Sequence, residues 1–263
     1  MRYLRLIYIF IRTAFQEESA FRINFFMNLL NVVLTLLGGI CGIYIIFYNN
    51  ELLNGWTMPE TLTVLGVYLL VQSVSGLFIA PSLDRLGGLG GEIDSGTFDY
   101  TVLSPISKQF YMSVKQWSLW QLLHIAVSIG VIVFAMSQMS TSTNFLSVLL
   151  FIFSIMIAVG LLYSILLFVN SIAFWYRGTY VSWIINDIMQ TGRYPIGIYP
   201  GRLRFILTWI FPISFIVSVP AQILTQKAEP LMILASFALL ITLLTLSSLF
   251  FRLSLRKYTG ASS

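Results

Sequence analysis

Charge, histidine and cysteine are all scarce in this sequence, and each shortage removes a class of function. Asp, Glu, Lys and Arg make up 10% of the 263 residues, where an ordinary soluble domain carries about 25%. The single cysteine, Cys41, lies inside an apolar run. It excludes an intrachain disulfide framework and reads as a small packing residue. The single histidine, His124, has no carboxylate in its own apolar run, so it builds neither a metal site nor an acid–base pair there. A loop that cradles nucleotide phosphates ends in Lys followed by Ser or Thr. The glycine cluster Gly87-Gly88-Leu89-Gly90-Gly91 runs instead into Glu92 and Ile93 and reads as a flexible break. No catalytic residue, no metal ligand and no bound cofactor is therefore expected of this chain. Its formal charge of +5 gathers at the ends of apolar runs, which speaks for membrane topology and against nucleic acid.

What the chain has in abundance is hydrocarbon: 57% of its residues are apolar. The runs Ile23 to Asn50, Thr61 to Ser82, Phe145 to Ala173 and Leu231 to Phe251 carry no charge, nor does Trp117 to Asn144 with a neutral His124. About 20 apolar residues cross the ~30 Å of bilayer hydrocarbon as a helix, and the period-2 alternation of membrane strands is missing. The fold class is thus an all-α polytopic membrane protein with a single membrane domain. Spans are expected at 23–48, 61–81, 117–137, 145–169 and 231–251.

Ahead of the first span, Arg2, Arg5, Arg12, Gln16 and Ser19 fall on one helical stripe, and Leu4, Ile7, Ile11 and Phe15 cover the rest. That pattern predicts an interfacial helix over 1–22, its arginines toward anionic headgroups. It has no small-residue cleavage site and ends in Gln16-Glu17-Glu18, unlike a cleavable signal peptide. Basic residues precede the first span, while the connection Asn49 to Glu60 has none. The asymmetry predicts cytoplasmic N- and C-termini. It also puts the polar stretch 82–116 in the cytoplasm.

Between the fourth and last spans the chain must cross once more, and two segments compete. Ser171 to Gln190 is polar, with Arg177, Asn186 and Asp187; Phe205 to Gln226 is apolar but broken by Pro212 and Pro220. Crossing by the second leaves 14 of the 15 Lys and Arg inside; crossing by the first leaves 11. The prolines oppose that count, since each costs about 3 kcal/mol in a helix interior. Asn28 and Asn31 in the first span, Gln72 in the second, and the pair Asn186 and Asp187 supply side chains for a polar path or for bridges between helices.

Two motifs stand out. One reads Gly91-Glu92-Ile93-Asp94-Ser95-Gly96-Thr97-Phe98-Asp99 and then Leu103-Ser104-Pro105. The other reads Gly192-Arg193-Tyr194-Pro195-Ile196, followed by Tyr199-Pro200, Phe211-Pro212 and Pro220-Ala221. With the amphipathic entry helix, they make the chain resemble the membrane subunits of ABC-2 type exporters, bacterial six-span permeases encoded beside a second permease and an ATPase. The resemblance implies a fifth span at 171–191 and re-entrant helices over 193–226. It implies a bacterial plasma (inner) membrane location, an ATPase dimer and a second related permease as partners, and ATP and Mg held by the ATPase.

It also implies a coupling helix within 82–116 that docks on the ATPase through Glu92, Ile93, Asp94, Gly96, Phe98, Asp99, Leu103 and Pro105. In that role the carboxylates would set the register. Ile93, Phe98, Tyr100 and Leu103 would form the apolar anchor, and Gly96 the bend. Two other classes compete: a membrane-embedded lipid-modifying enzyme, which needs Arg177, Asp187 and Arg193 to converge, and a non-transporting scaffold or sensor subunit.

Overall fold

Residues 2–20, 22–49, 51–139 and 144–258 are described by the structure, a computed structural model. Among them the protein is all-helical. In chain order the helices are α1 (Arg2–Ala20), α2 (Arg22–Phe47), α3 (Met58–Asp84), α4 (Phe98–Leu103), α5 (Lys108–Val114), α6 (Gln121–Ser137), α7 (Phe145–Asn170), α8 (Ser182–Met189), α9 (Gly201–Ile210), α10 (Ser214–Leu224) and α11 (Pro230–Lys257). α2, α3, α7 and α11 each hold a stretch long and apolar enough to cross a membrane. α6 is apolar with 17 residues, the short limit for a span.

Local chemistry sets the ends and breaks of α3. Its start is closed by Glu60, whose carboxylate accepts the Thr57 N–H at 2.8 Å. Its lower half widens into a π turn at Ser75–Ile79, just before Pro81. Proline has no N–H for the carbonyl four residues back, and that carbonyl, on Leu77, instead accepts the Ser118 N–H at 2.8 Å. The break is thereby satisfied inside the protein, as bilayer depth requires. Higher up, a Cβ on Gly66 would stand 2.6 Å from Ile132. The bare glycine lets α6 pack antiparallel and close against α3.

α7 and α11 run in the same direction. Phe153 pairs with Phe237 and Phe168 with Phe250, at centroid distances of 6.1 and 4.5 Å. The connection between two parallel helices must travel back along their whole length. Both described termini lie at one end, here the lower end: α1 packs Tyr3 and Phe10 on Phe110 and Tyr111 of α5, and Tyr258 after α11 reaches α4.

The return path differs from the expected span at 171–191. No single helix fills it: a 3-10 turn covers Ser171–Phe174, α8 has eight residues, and a second 3-10 turn covers Gln190–Arg193. Eight helical residues rise only about 12 Å. The chain nevertheless climbs from Ser182, whose hydroxyl donates to Asn170 at 2.8 Å at the lower end, to Gly197, whose carbonyl accepts the Asn54 side chain at 2.8 Å at the upper end. α9 and α10 follow as a pair bent by 77°. Both ends of this pair lie at the upper end, where Lys227 reaches the Gly55 carbonyl and Glu60 at 2.7 and 2.6 Å.

Candidate functional site

The connection from α3 to α4 is bound tightly to the bundle's lower end. Gly88 takes a φ of +84° and donates its N–H to Thr179 at 2.8 Å. A Cβ on Gly87 would meet the Thr179 carbonyl at 2.4 Å. The glycine cluster is therefore not a flexible break; it lets two backbones touch.

Further along, the motif residues part company. Glu92 is 7% exposed and ion-paired to Lys115 at 2.7 Å, so its charge is spent inside the fold. Ile93 and Phe98 are fully buried. Phe98 packs edge-on against Phe174 and Tyr258, at 5.1 and 5.0 Å. The expectation that Glu92, Ile93 and Phe98 form the docking surface is thus corrected: this apolar pair and this carboxylate face the core. Gly96, at φ +75°, makes the expected bend. Asp94 is exposed and accepts the Gly90 N–H at 2.9 Å. Asp99 accepts the Tyr258 hydroxyl at 2.8 Å.

What projects outward is a different apolar set. Leu89, Tyr100 and Leu103 are 93%, 79% and 80% exposed, with Val102 and Pro105 exposed beside the last two. Helix periodicity explains the split: on α4, Phe98 and Thr101 turn inward while Tyr100 and Leu103 turn out.

This surface is coupled to the long helices through fixed contacts. The rings of Phe98, Phe174, Phe251 and Tyr258 form one cluster joining α4 to the ends of α7 and α11. Gln109 on α5 donates to the Tyr163 hydroxyl at 3.1 Å and to the Ser248 hydroxyl at 3.0 Å, tying α5 to both. Burial first, then the bond to Asp99 and its charge, push the Tyr258 phenol up to about 12. The folded state favours the neutral phenol, so its contribution is complete below the unfolded value of about 10 and is lost as pH rises through the folded one. Tyr258→Phe should therefore cost about 1 kcal/mol, unchanged from about pH 6 to 9. Thermal unfolding of the two proteins across that range checks it.

The second cluster of predicted residues meets in part. A cavity of about 240 Å³ between α2, α3, α6 and α8 is lined by Thr35, Tyr68, Gln72, Gln121, His124 and Asn186. Gln72 and Asn186 face it. Asn31, exposed on α2, accepts the hydroxyl of the lining residue Thr35 at 3.1 Å but does not itself line the cavity, and Asn28 lies half-buried one turn below. Asp187 does not share the cavity; it is exposed and accepts from Gln190 at 3.0 Å.

Sequence reasoning missed Arg193 as a neighbour of this cleft. Its guanidinium lies 5.6 Å from the Tyr68 ring centre, and its buried Nε has no hydrogen-bond partner. The signal was an arginine just past a polar apolar-run candidate, where ionisable groups are costly. Arg177, which acts electrostatically on Tyr258, lies at the lower end, Asp187 pairs with Gln190 and Arg193 stacks on Tyr68. The three do not converge, which removes the basis for an interfacial enzyme site. Among the described residues no three His, Cys, Asp or Glu side chains are grouped to hold a metal ion.

A helical bundle with several helices long and apolar enough to span a bilayer, and one polar end mounted on them, is the architecture of a multi-pass membrane protein. The model of the ABC-2 family transporter proteins matches residues 32–262, and the chain belongs to that family. It is an ABC transporter permease, the transmembrane component. No curated protein and no solved structure shows a significant match.

Proposed function

We propose that this chain is the permease subunit of an ATP-driven exporter in a bacterial plasma membrane, with its lower end in the cytoplasm. ATP and Mg are held by a separate ATPase dimer, and a second, related permease completes the translocation path. The observation that carries the reading is the apolar surface of Leu89, Tyr100 and Leu103 on a segment whose base is locked to α7 and α11. Large apolar side chains exposed on an end that faces water suit a protein contact, and a rigid mount transmits a push. When ATPase subunits close, displacement of α4 acts through Phe98 on Phe174, Phe251 and Tyr258, and so tilts the long helices.

The crossing between α7 and α11 is made by residues 182–197 in pieces, and α9 with α10 re-enters from the outer face. The cleft of Gln72 and Asn186 is this subunit's share of the path. Asp187, charged and exposed partway up α8, faces the second permease or water, since lipid would not tolerate it.

Affinity purification of the chain from its native membrane, with mass spectrometry of the associated chains, tests the proposal. An ABC ATPase and a second permease should copurify, and ATP turnover should fall when the chain is removed. Recovery of the chain without any ATPase would sink the idea.

A further inference from the structure

The charges at the upper end remain unexplained by coupling. Arg202 and Arg204 are exposed there, on the face where the positive-inside rule disfavours cations, and no described carboxylate pairs with either. Lys227, close by, is already matched by Glu60.

Arg204 borders a cavity of about 470 Å³ in the angle between α9 and α10. Thr208, Ser214 and Gln222 add hydrogen-bonding groups to the wall, and Trp56 and Trp209 add aromatic faces. The guanidinium donates to the Gly197 carbonyl, which fixes its direction and leaves other N–H groups for an anion. Arginine with neighbouring hydroxyl and amide donors is suited to a phosphate, and tryptophan to the headgroup layer.

A second cavity, of about 370 Å³, lies deeper, at the far end of α9 and the break after it, against α7 and α11. Ile210 at the lower end of α9, Phe211 just after it, Ile165 and Phe168 on α7, and Leu243 and Leu246 on α11 make it apolar. α11 lines both cavities, at Met232 and at Leu243. These positions are separated by a rise of about 16 Å, close to the ~15 Å of one leaflet's hydrocarbon. An upper cavity with an arginine and hydrogen-bonding groups and an apolar lower one, one leaflet apart, match the shape of a lipid.

We propose that α9, α10 and α11 bind one anionic phospholipid, its phosphate on Arg204 and an acyl chain along α11 toward Leu243. Its placement in the outer leaflet rests on the orientation proposed above; the binding does not.

Phosphatidylglycerol with a photoactivatable group in its acyl chain tests the site. The full-length protein is reconstituted in phosphatidylcholine nanodiscs, where both leaflets are accessible, and crosslinked peptides are mapped. Crosslinks in 207–212 and 239–246 should exceed those from an equally labelled phosphatidylcholine by about tenfold. Arg204→Gln should reduce that excess to within about twofold, while Arg204→Lys keeps most of it and crosslinks elsewhere stay unchanged, showing an intact fold. Equal labelling by the two lipids, or an Arg204→Gln excess like the wild type's, would overturn the proposal. So would full displacement by millimolar inorganic phosphate, which would make this a small-anion site. Because no ATPase is present, a negative result here leaves the coupling proposal standing.

Discussion

Replacing Tyr100 and Leu103 together by Asp should weaken binding of the chain to its ATPase by about a hundredfold or more. Each is a large side chain about four-fifths exposed on α4. Apolar anchors at the centre of an interface commonly cost 2 kcal/mol or more when removed, and 1.4 kcal/mol is a tenfold change. Two adjacent anchors, even if not additive, reach that hundredfold. Neither side chain takes part in the fold's interior, so membrane insertion and thermal stability should stay at wild-type levels. Copurified ATPase and its ATP turnover are the readouts; a double variant that retains the ATPase at wild-type affinity would remove α4 from the interface. Charge reversal at Asp94 should do far less, because that exposed carboxylate meets only the Gly90 N–H. Reversal at Asp99 breaks the bond to Tyr258 and so acts through the fold instead.

Phe98→Ala carries the second large effect, on stability and on transmission together. The ring is fully buried in contact with Phe174 and Tyr258. Truncating a buried Phe costs about 3–5 kcal/mol through lost burial and the cavity left behind. The loss falls at the junction of α4 with α7 and α11, so the segment 85–105 should come loose before the bundle melts. Limited proteolysis of the purified protein should then cut within 85–105 many times faster than in the wild type, and Phe98→Leu should restore most of the protection. In the assembled transporter the variant should still bind its ATPase through Tyr100 and Leu103 yet transport poorly. Unchanged proteolysis in Phe98→Ala would mean that the aromatic cluster is not the link.

These two variants separate functions that the motif between Gly91 and Pro105 runs together. In one dimension Ile93, Phe98, Tyr100 and Leu103 look alike, four apolar residues in a polar stretch. Two are the loop's own core and two are its surface. The difference arises because a helix of six residues turns successive side chains by about 100°, and the aromatic partners for Phe98 come from residues 174 and 258. No local pattern reports such distant partners. Glu92 was misread for the same reason: its partner, Lys115, is 23 positions away.

The sequence by itself determined the class. Charge-free runs of membrane length leave an α-helical bundle as the available fold, because backbone polar groups in hydrocarbon must be satisfied within the chain. The bias of Lys and Arg and the absence of a nucleotide loop followed from composition alone, and the two motifs were legible as a family pattern. The tertiary structure decided the rest. The return of the chain between parallel α7 and α11 runs through short pieces at 182–197, which hydropathy undervalues because they carry Asn186, Asp187 and Arg193. Arg193 is held on Tyr68, and Arg204 borders a cavity between α9 and α10, so cations that topology rules leave out of place become candidate contacts. Hydrophobicity is summed along the chain and survives reading in one dimension; burial, pairing and cavities depend on which distant segments meet.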